Sequence, residues 1–393
     1  MDKINNTFTV ESLDFFGNGI IHDVEGKCIF VKNALPGEEV SDSSLAITES
    51  KKRYSRAVIS EVLQPSPHRI DVDCEYFSQC GGCQFRHCDY ETEIKAKETH
   101  LRRLLGKTIG EEDVFRVFFG VVPAFSRNNY RNHAVFHMHG GKACFYRENS
   151  HDYISIRQCP LLHSELNSLL KTTNNIDNKK VKELDLRCDN TGHLVSAADD
   201  NADKLLTYDI CGVQLNVPAN GFFQVNTEMA EVMLSYVKAL TDEIDCRRLL
   251  DLYCGVGTIG IISGKGRDIS VTGIEVVPSA VEQAQRNAQQ NGIKAQYYQG
   301  KTEDELKKLL NKLLPQDMVI IDPPRQGLQN STAKILSDYA ADHLIYVSCD
   351  PATLCRDLKT LLKIYKIKSV KAFDLFPGTS HVETVVLMSR VRK

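Results

Sequence analysis

The sequence predicts an α/β chain with a parallel sheet in its second half and a small antiparallel β-barrel at its start, over 393 residues. From about Phe222 helical periods alternate with short apolar β-type runs, which is the pattern of strands joined by crossover helices. Residues 7–63 instead carry short β-like runs broken by Gly17-Asn18-Gly19, residues 23–26 and Pro36-Gly37, as a small barrel requires. A cysteine-rich stretch, residues 74–88, stands between these two regions. A charged amphipathic segment follows to about Lys107, then a mixed, strand-rich region to about Val213. Domains are therefore expected at 1–65, 66–214 and 215–393, with part of 86–118 able to pack on the last.

Taken in order, Pro65-Ser66-Pro67 closes the barrel, since proline cannot donate to a ladder. In the second half strands are expected at 249–254, 271–276, 295–298, 318–321 and 344–348, and helices at 224–240, 279–291 and 352–362. The run 381–388, after Phe376-Pro377-Gly378, reads as an added antiparallel strand. A formal charge of −3 excludes an all-over polycation, so any nucleic-acid contact must use local basic patches. Two are present: Lys51-Lys52-Arg53-Tyr54-Ser55-Arg56, and Arg86, Lys95, Lys97, Arg102, Arg103 and Lys107 along an expected helix. Residues 1–6 lack a secretory pattern, and no stretch is long and apolar enough to cross a bilayer. The expectation is a cytoplasmic protein without membrane contact. Thirteen cysteines in a reducing compartment then read as metal ligands, nucleophiles or small buried hydrophobes rather than a disulfide framework.

Three groups of residues carry chemistry. Asp251-Leu252-Tyr253-Cys254-Gly255-Val256-Gly257-Thr258-Ile259-Gly260 joins an expected strand to a helix through closely spaced glycines, which let the backbone approach a ligand. Glu275 ends the next strand, near the spacing at which an acid binds ribose hydroxyls. Gly255, Gly257 and Gly260 also satisfy a dinucleotide spacing, so this loop alone does not choose the ligand. Asp322-Pro323-Pro324-Arg325, at a later strand end, stiffens a loop facing the same crevice and resembles one found in adenosylmethionine-dependent methyltransferases.

Cys349 ends the apolar run 344–348 and is followed by Asp350-Pro351, which places a thiol at a strand end beside whatever the sheet binds. Cys74, Cys80 and Cys83, the last two flanking Gly81-Gly82, bring three thiols together. Either Cys88 nearby or Cys159 in Cys159-Pro160 could complete a set of four, suited to structural zinc or to an iron-sulfur cluster. His133, His137 and His139 alternate on an expected strand and read as strand residues rather than a metal site.

The runs Tyr346-Val347-Ser348-Cys349-Asp350-Pro351-Ala352-Thr353-Leu354, Phe376-Pro377-Gly378-Thr379-Ser380-His381-Val382-Glu383 and Asp322-Pro323-Pro324-Arg325 resemble the RNA uracil-5-methyltransferase family over nearly the whole chain. The resemblance implies a Rossmann-like class I methyltransferase domain, an N-terminal OB-like barrel similar to the family's TRAM domain, and a central α+β iron-sulfur domain. It implies S-adenosylmethionine as methyl donor, contacted at Gln224, Tyr253, Gly255, Thr258, Glu275 and Asp322, and RNA as partner. Cys349 would be the nucleophile that adds to C6 of a uracil, and Glu383 the acceptor of the C5 proton. Phe222, Gln224 and Asn226 would line the base pocket, and His381 would orient the loop. Cys74, Cys80, Cys83 and Cys159 would hold a [4Fe-4S] cluster. The barrel and the cluster cysteines together point to 23S rRNA, with no obligate protein partner. A transfer-RNA substrate and a non-catalytic RNA-binding assembly factor are the alternatives, and cytosine-5 methylation is disfavoured because Cys349 lies in Ser-Cys-Asp-Pro rather than Pro-Cys. One departure stands out, because Asp350 replaces the family's usual asparagine beside the nucleophile, where an acid would tend to raise the thiol's pKa.

Overall fold

The apolar runs of the second half assemble into an eight-stranded sheet in a computed structural model that describes residues 6–173, 182–196, 204–309, 318–339 and 341–391. Its order is Ala295–Gln299, Ser270–Glu275, Arg248–Leu252, Met318–Ile321, His343–Ser348, Glu383–Arg390, Tyr365–Phe373 and Phe118–Val122. The first five strands run parallel, and Glu383–Arg390 is antiparallel to both its neighbours. Met318–Ile321 is buried at every position, as expected of a central strand covered on both faces. The alternation of side chains divides the strands between two cores. Leu249, Ile345, Val347 and Val385 join one with helix Thr227–Asp242, whereas Leu250, Leu344, Tyr346 and Val386 join the other with helix Pro351–Leu361.

From Arg248–Leu252 the chain winds outward through Ser270–Glu275 to Ala295–Gln299, then returns to Met318–Ile321 on the other side. The order reverses between Arg248–Leu252 and Met318–Ile321, so the crevice for a ligand opens there. Helices Thr302–Leu309 and Asn330–Tyr339, and strands Phe118–Val122 and Tyr365–Phe373, were not expected from the sequence. Phe118–Val122 pairs in parallel with Tyr365–Phe373, so the segment after the cysteines closes one edge of the eight-stranded sheet. The expected boundary at 214 cuts hairpin Leu205–Ile210/Val213–Pro218, whose Leu206, Tyr208 and Leu215 lie in the first core.

The N-terminal region folds into a five-stranded sheet with a two-stranded ladder beside it, over a core of Val10, Ile21, Val31, Val40 and Ala57. It is not wholly antiparallel, because Cys28–Lys32 pairs in parallel with Tyr54–Ile59 after a connection that carries Glu39–Ser41 and Leu45–Ser50. The central region is a second five-stranded sheet, with His133–His139 in its middle and helix Ser164–Thr173. Among the described residues no helix is long and apolar enough to cross a membrane. Met1 to Asn5, most of the stretch read for a secretory signal, lie outside the described residues.

Helix Tyr90–Ile109 ties these regions to the eight-stranded sheet. Lys97 is buried, and its Nζ donates to Glu93 Oε1 and Asp374 Oδ1, both at 2.8 Å. Burial pulls the ammonium's pKa down, but Glu93 and Asp374 outweigh it and hold it above the ordinary value. Arg127 donates to Glu93 Oε2 at 2.8 Å, and the Tyr90 hydroxyl to Asp374 Oδ2 at 2.8 Å. Asp374 directly follows strand Tyr365–Phe373, so this cluster anchors the loop that runs to Glu383. Lys97 is thus no part of a solvated basic face, and neither is Arg86, which is buried against Asp73 and Asn128. Removing one member should cost much more than breaking an exposed pair. Lys97→Met is expected to lower the unfolding free energy by ~3–5 kcal/mol, because Asp374 loses its cation while buried and Glu93 keeps only Arg127. Arg102→Ala, which breaks the more exposed pair with Glu98, should cost under ~0.5 kcal/mol. Denaturant midpoints of the two variants compare these directly, and similar losses would contradict the role given to Lys97.

Candidate active site and cysteine-lined cavity

Cys349 is the first residue beyond His343–Ser348, and Glu383 opens the adjacent antiparallel strand. Ser348 pairs with Thr384, so one further step of the register sets Cys349 opposite Glu383. Asp322 follows Met318–Ile321 on the other side of the nucleophile strand. Thiol and carboxylates meet because three neighbouring strands end or begin at one rim of the sheet. Asp350 caps helix Pro351–Leu361, its Oδ1 accepting from Thr353 N at 2.7 Å, and proline at the first helical position suits that cap.

The same helix fixes the loop 322–328. Asp357 Oδ2 accepts from Leu328 N at 2.7 Å and from the Tyr346 hydroxyl at 2.8 Å, and Arg356 donates to Gln326 O at 2.7 Å. Gly327 is required here. Its φ is +72°, and a Cβ would lie 2.5 Å from Asp357 Oδ2.

Burial pushes the Cys349 thiol up to about 12, with Glu383 and Asp322 adding to it, Arg325 opposing and Asp350 the smallest contributor. Glu383 is 4% exposed, and burial, helped by Asp322 and opposed by Arg325, raises it to about 8. Burial raises Asp322 to about 7. The crevice thus holds more acid groups than positive charge, which suits a cationic ligand, since such a ligand would favour every ionised form around it. His381 is kept neutral, because burial and then Arg325 and Lys97 lower it to about 4.

The glycine loop flanks the point where the sheet order reverses. Tyr253, Gly255 and Gly257 have φ of +64°, +54° and +84°, and Gly257 precedes Thr258, the first residue of helix Thr258–Gly264. At Gly257 a Cβ would meet the Tyr297 hydroxyl oxygen at 2.7 Å. Gly255 N donates to Glu275 Oε2 at 3.1 Å, while Glu275 Oε1 accepts from Val276 N and Val277 N. The Tyr253 side chain packs on the second core. Asp251, which had no expected role, is buried beneath the loop and accepts from Gly260 N at 2.8 Å. Burial raises it to about 7.

In the stretch 222–226, Phe222 is 72% exposed and available for stacking, while Phe223 stacks on Tyr208 at 4.0 Å. Gln224 is half-buried, and its carbonyl accepts from Asn132 Nδ2 at 3.0 Å. Asn226, expected at the base pocket, has its side chain engaged within the protein. It is 2% exposed, caps helix Thr227–Asp242 by accepting from Met229 N, and donates to Leu375 O at 3.2 Å. Both ends of its amide are therefore engaged in holding this turn against the loop that leads to Glu383.

Cys74, Cys80, Cys83 and Cys159 line one cavity of about 1330 Å³ between the N-terminal sheet, the cysteine turn and the central sheet. Burial raises the Cys83 thiol, and Cys159, Cys80 and Cys74 add to that, so the four lie within electrostatic reach of one another. Among the described residues no group of three or more His, Cys, Asp or Glu side chains is disposed to hold a metal ion. Cys88 stands apart. It is buried, bonds to Phe85 O, and its charged neighbours are Glu93, Arg127, Asp89 and Lys97. His133 bonds Asp185 at 2.9 Å, and His137 and His139 pack on Tyr146 and Tyr153, as strand residues would.

A family model described as tRNA (Uracil-5-)-methyltransferase matches residues 159–391. An uncharacterized RNA methyltransferase of Bacillus cereus is 30% identical over 455 residues, covering 98% of this chain and 96% of the relative. The 23S rRNA (uracil(1939)-C(5))-methyltransferase RlmD of Pectobacterium atrosepticum is 30% identical over 425 residues, covering 98% and 93%. Among solved structures, the Pyrococcus abyssi tRNA (uracil-54, C5)-methyltransferase in complex with S-adenosyl-L-homocysteine superposes with a TM-score of 0.74 at 23% identity, covering 98% of this chain and all of that one.

A buried carboxyl held at about 8 rather than its ordinary 4.5 has a consequence for stability. The folded state keeps the proton that the unfolded chain releases, so this contribution is complete below about 4.5 and is lost as pH rises through about 8. Glu383→Gln is therefore expected to melt above the wild type at pH 9, with the gap closing toward pH 5. Melting curves at the two pH values measure it, and a gap that is constant or widest at pH 5 would contradict the assignment.

Proposed function

Because the chain belongs to the tRNA (uracil-5-)-methyltransferase family, a family of RNA-methylating enzymes, we propose that it methylates C5 of a uridine through a covalent Cys349 adduct, with 23S rRNA as its RNA. The observation that carries the mechanism is the opposition of Cys349 and Glu383 across one register step of adjacent strands. S-adenosylmethionine supplies an electrophilic methyl group on a sulfonium cation. Gln224, Tyr253, Gly255, Thr258, Glu275 and Asp322 are proposed to hold it, the turn of positive-φ residues offering backbone close approach and the acids a setting that suits its charge. Phe222 would stack the uracil, with Gln224 beside it.

Within this reading the Cys349 thiolate adds to C6, which makes C5 a carbon nucleophile able to take the methyl group. The Glu383 carboxylate then removes the C5 proton, the C–H electrons restore the C5=C6 bond, and the C6–S bond breaks to release the thiolate. Arg325 is the positive charge that favours the ionised form of both groups.

Ribosomal RNA is proposed first on the likeness to the RlmD relative, with the N-terminal sheet as a TRAM-type RNA-binding domain over residues 1–65 and the four cysteines in the central region, 66–214. Residues 215–393 would be the catalytic domain, with helix Tyr90–Ile109 and strand Phe118–Val122 contributed to it from the central region. A transfer-RNA substrate is the second reading, favoured by the family's description and the Pyrococcus relative. For the cysteines we propose a [4Fe-4S] cluster, because the four thiols line one cavity and offer the all-sulfur donor set that such a cluster takes. Its ligands would be Cys74, Cys80, Cys83 and Cys159, supplying soft donors to a group that the methylation does not require for electrons.

Two measurements test this reading. Incubation with adenosylmethionine and 5-fluorouridine transcripts of 23S rRNA and of tRNA should yield a denaturation-resistant adduct with the ribosomal RNA, since fluorine at C5 blocks the elimination. Cys349→Ala should abolish it. Trapping on the tRNA alone would reassign the substrate, and trapping on neither would remove the activity. In the second, anaerobically purified protein should carry about four iron atoms per chain. Cys80→Ser should lower that content, and zinc without iron would overturn the cluster.

A further inference from the structure

One side chain joins the cysteine turn to the loop that leads to Glu383. Gln84 directly follows Cys83, and its Nε2 donates to Gly81 O, inside the Cys80–Cys83 turn, at 3.2 Å. Its Oε1 accepts from Ser380 N at 3.1 Å. The amide orientation follows from its partners, because the oxygen meets an N–H and the nitrogen meets a carbonyl. The backbone reinforces the link, since Gln84 N and Phe85 N both donate to Gly378 O, at 2.8 and 3.1 Å. On the opposite side Gly378 N donates to Glu93 Oε1 at 2.7 Å.

These bonds matter because the sheet does not hold this segment. The ladder between the last two strands of the chain begins at the pair Phe373–Glu383, so residues 374–382 lie outside it. Ser380 is three residues from Glu383, and its amide is fixed by Gln84 alone among the bonds described here.

We infer that Gln84 is a positioning residue for proton removal from C5, setting where Glu383 stands and coupling that position to the shape of the cysteine turn. The inference rests on the proposed role of Glu383 as the base. In the affected step Glu383 takes the C5 proton, the C–H pair becomes the C5=C6 bond, and sulfur leaves C6 with the bonding pair. Thiolate addition and methyl transfer precede that step and do not use Glu383 as acceptor, so Gln84 should leave them nearly untouched.

The test uses the full-length protein, purified anaerobically, and the transcript that the fluorouridine experiment traps. Prepared with tritium at uridine C5, it reports proton removal as tritium release in a single turnover. Gln84→Met, which loses both amide bonds, should slow tritium release by about 10- to 100-fold, in line with the cost of ångström-scale misplacement of a catalytic group. The covalent adduct should then accumulate on unsubstituted RNA. Trapping by the fluorinated transcript should remain within about twofold of wild type, since it stops before proton removal. Gln84→Glu, which keeps the acceptor for Ser380 N, should recover most of the release rate. Equal losses of trapping and release, no loss of either, or a Gln84→Glu variant as slow as Gln84→Met would overturn the inference. Failure of the wild type to trap any transcript would instead bring down the proposed activity itself, and this role with it.

Discussion

Two buried carboxylates, Glu93 and Asp374, close on the single buried ammonium of Lys97, and the placement of the catalytic loop depends on that neutralisation. Burying either carboxylate costs several kcal/mol that only well-placed partners offset, and Arg127 adds a second cation at Glu93. The cluster joins groups distant in sequence. Glu93 and Lys97 belong to the helix after the cysteines, Arg127 to the segment beyond Phe118–Val122, and Asp374 to the loop between the last two antiparallel strands. Its effect is geometric rather than chemical. With Gly378 held from both sides of its peptide, the loop has few ways to move without leaving a buried polar group unpaired.

The rest of the site follows from sheet topology. Parallel strands deliver their carboxyl ends to one rim, and the reversal between Arg248–Leu252 and Met318–Ile321 opens a crevice there. Only an antiparallel neighbour can bring the beginning of a strand to that same rim. Glu383–Arg390 is such a neighbour, which is why a carboxylate at its first residue can face a thiol just past the end of His343–Ser348. The parallel neighbour on the other side also brings an acid to this rim, Asp322, but past the end of its strand rather than at its start.

Much of this was legible in the residues. Strand Met318–Ile321 has the bounds that its apolar run between polar neighbours implies, and Cys349 stands at a strand end as Asp350-Pro351 requires. The helix-cap reading of Asp350 was also available, from an aspartate before a proline with Thr353 three residues on. What could not be read was burial and pairing across the chain. Glu93 and Lys97 look like a solvated i,i+4 pair, and their burial depends on Asp374, 277 residues beyond Lys97. Phe118–Val122 could not be assigned to a sheet whose other strands all lie after residue 247. Asn226 could equally well have bound a ligand or capped a helix. Its chemistry is the same in both roles, and only the helix behind it and the Leu375 carbonyl decide between them.

The electrostatics of the crevice link these geometric facts to reactivity. Cys349, Glu383 and Asp322 each favour their protonated forms, chiefly through burial, and Arg325 is the positive group that opposes this at the first two. Each negative charge admitted to the crevice makes the next harder to form, so the three groups compete for ionisation. A cation bound among them relieves all three at once. In the proposed reaction the sulfonium of the methyl donor is such a cation, and the thiolate is the species it favours. In that reading, binding of the donor would favour the ionised form of Cys349 through its charge. The burial that raises these three groups is also what would let a cation act strongly among them, because a low dielectric magnifies the effect of one added charge.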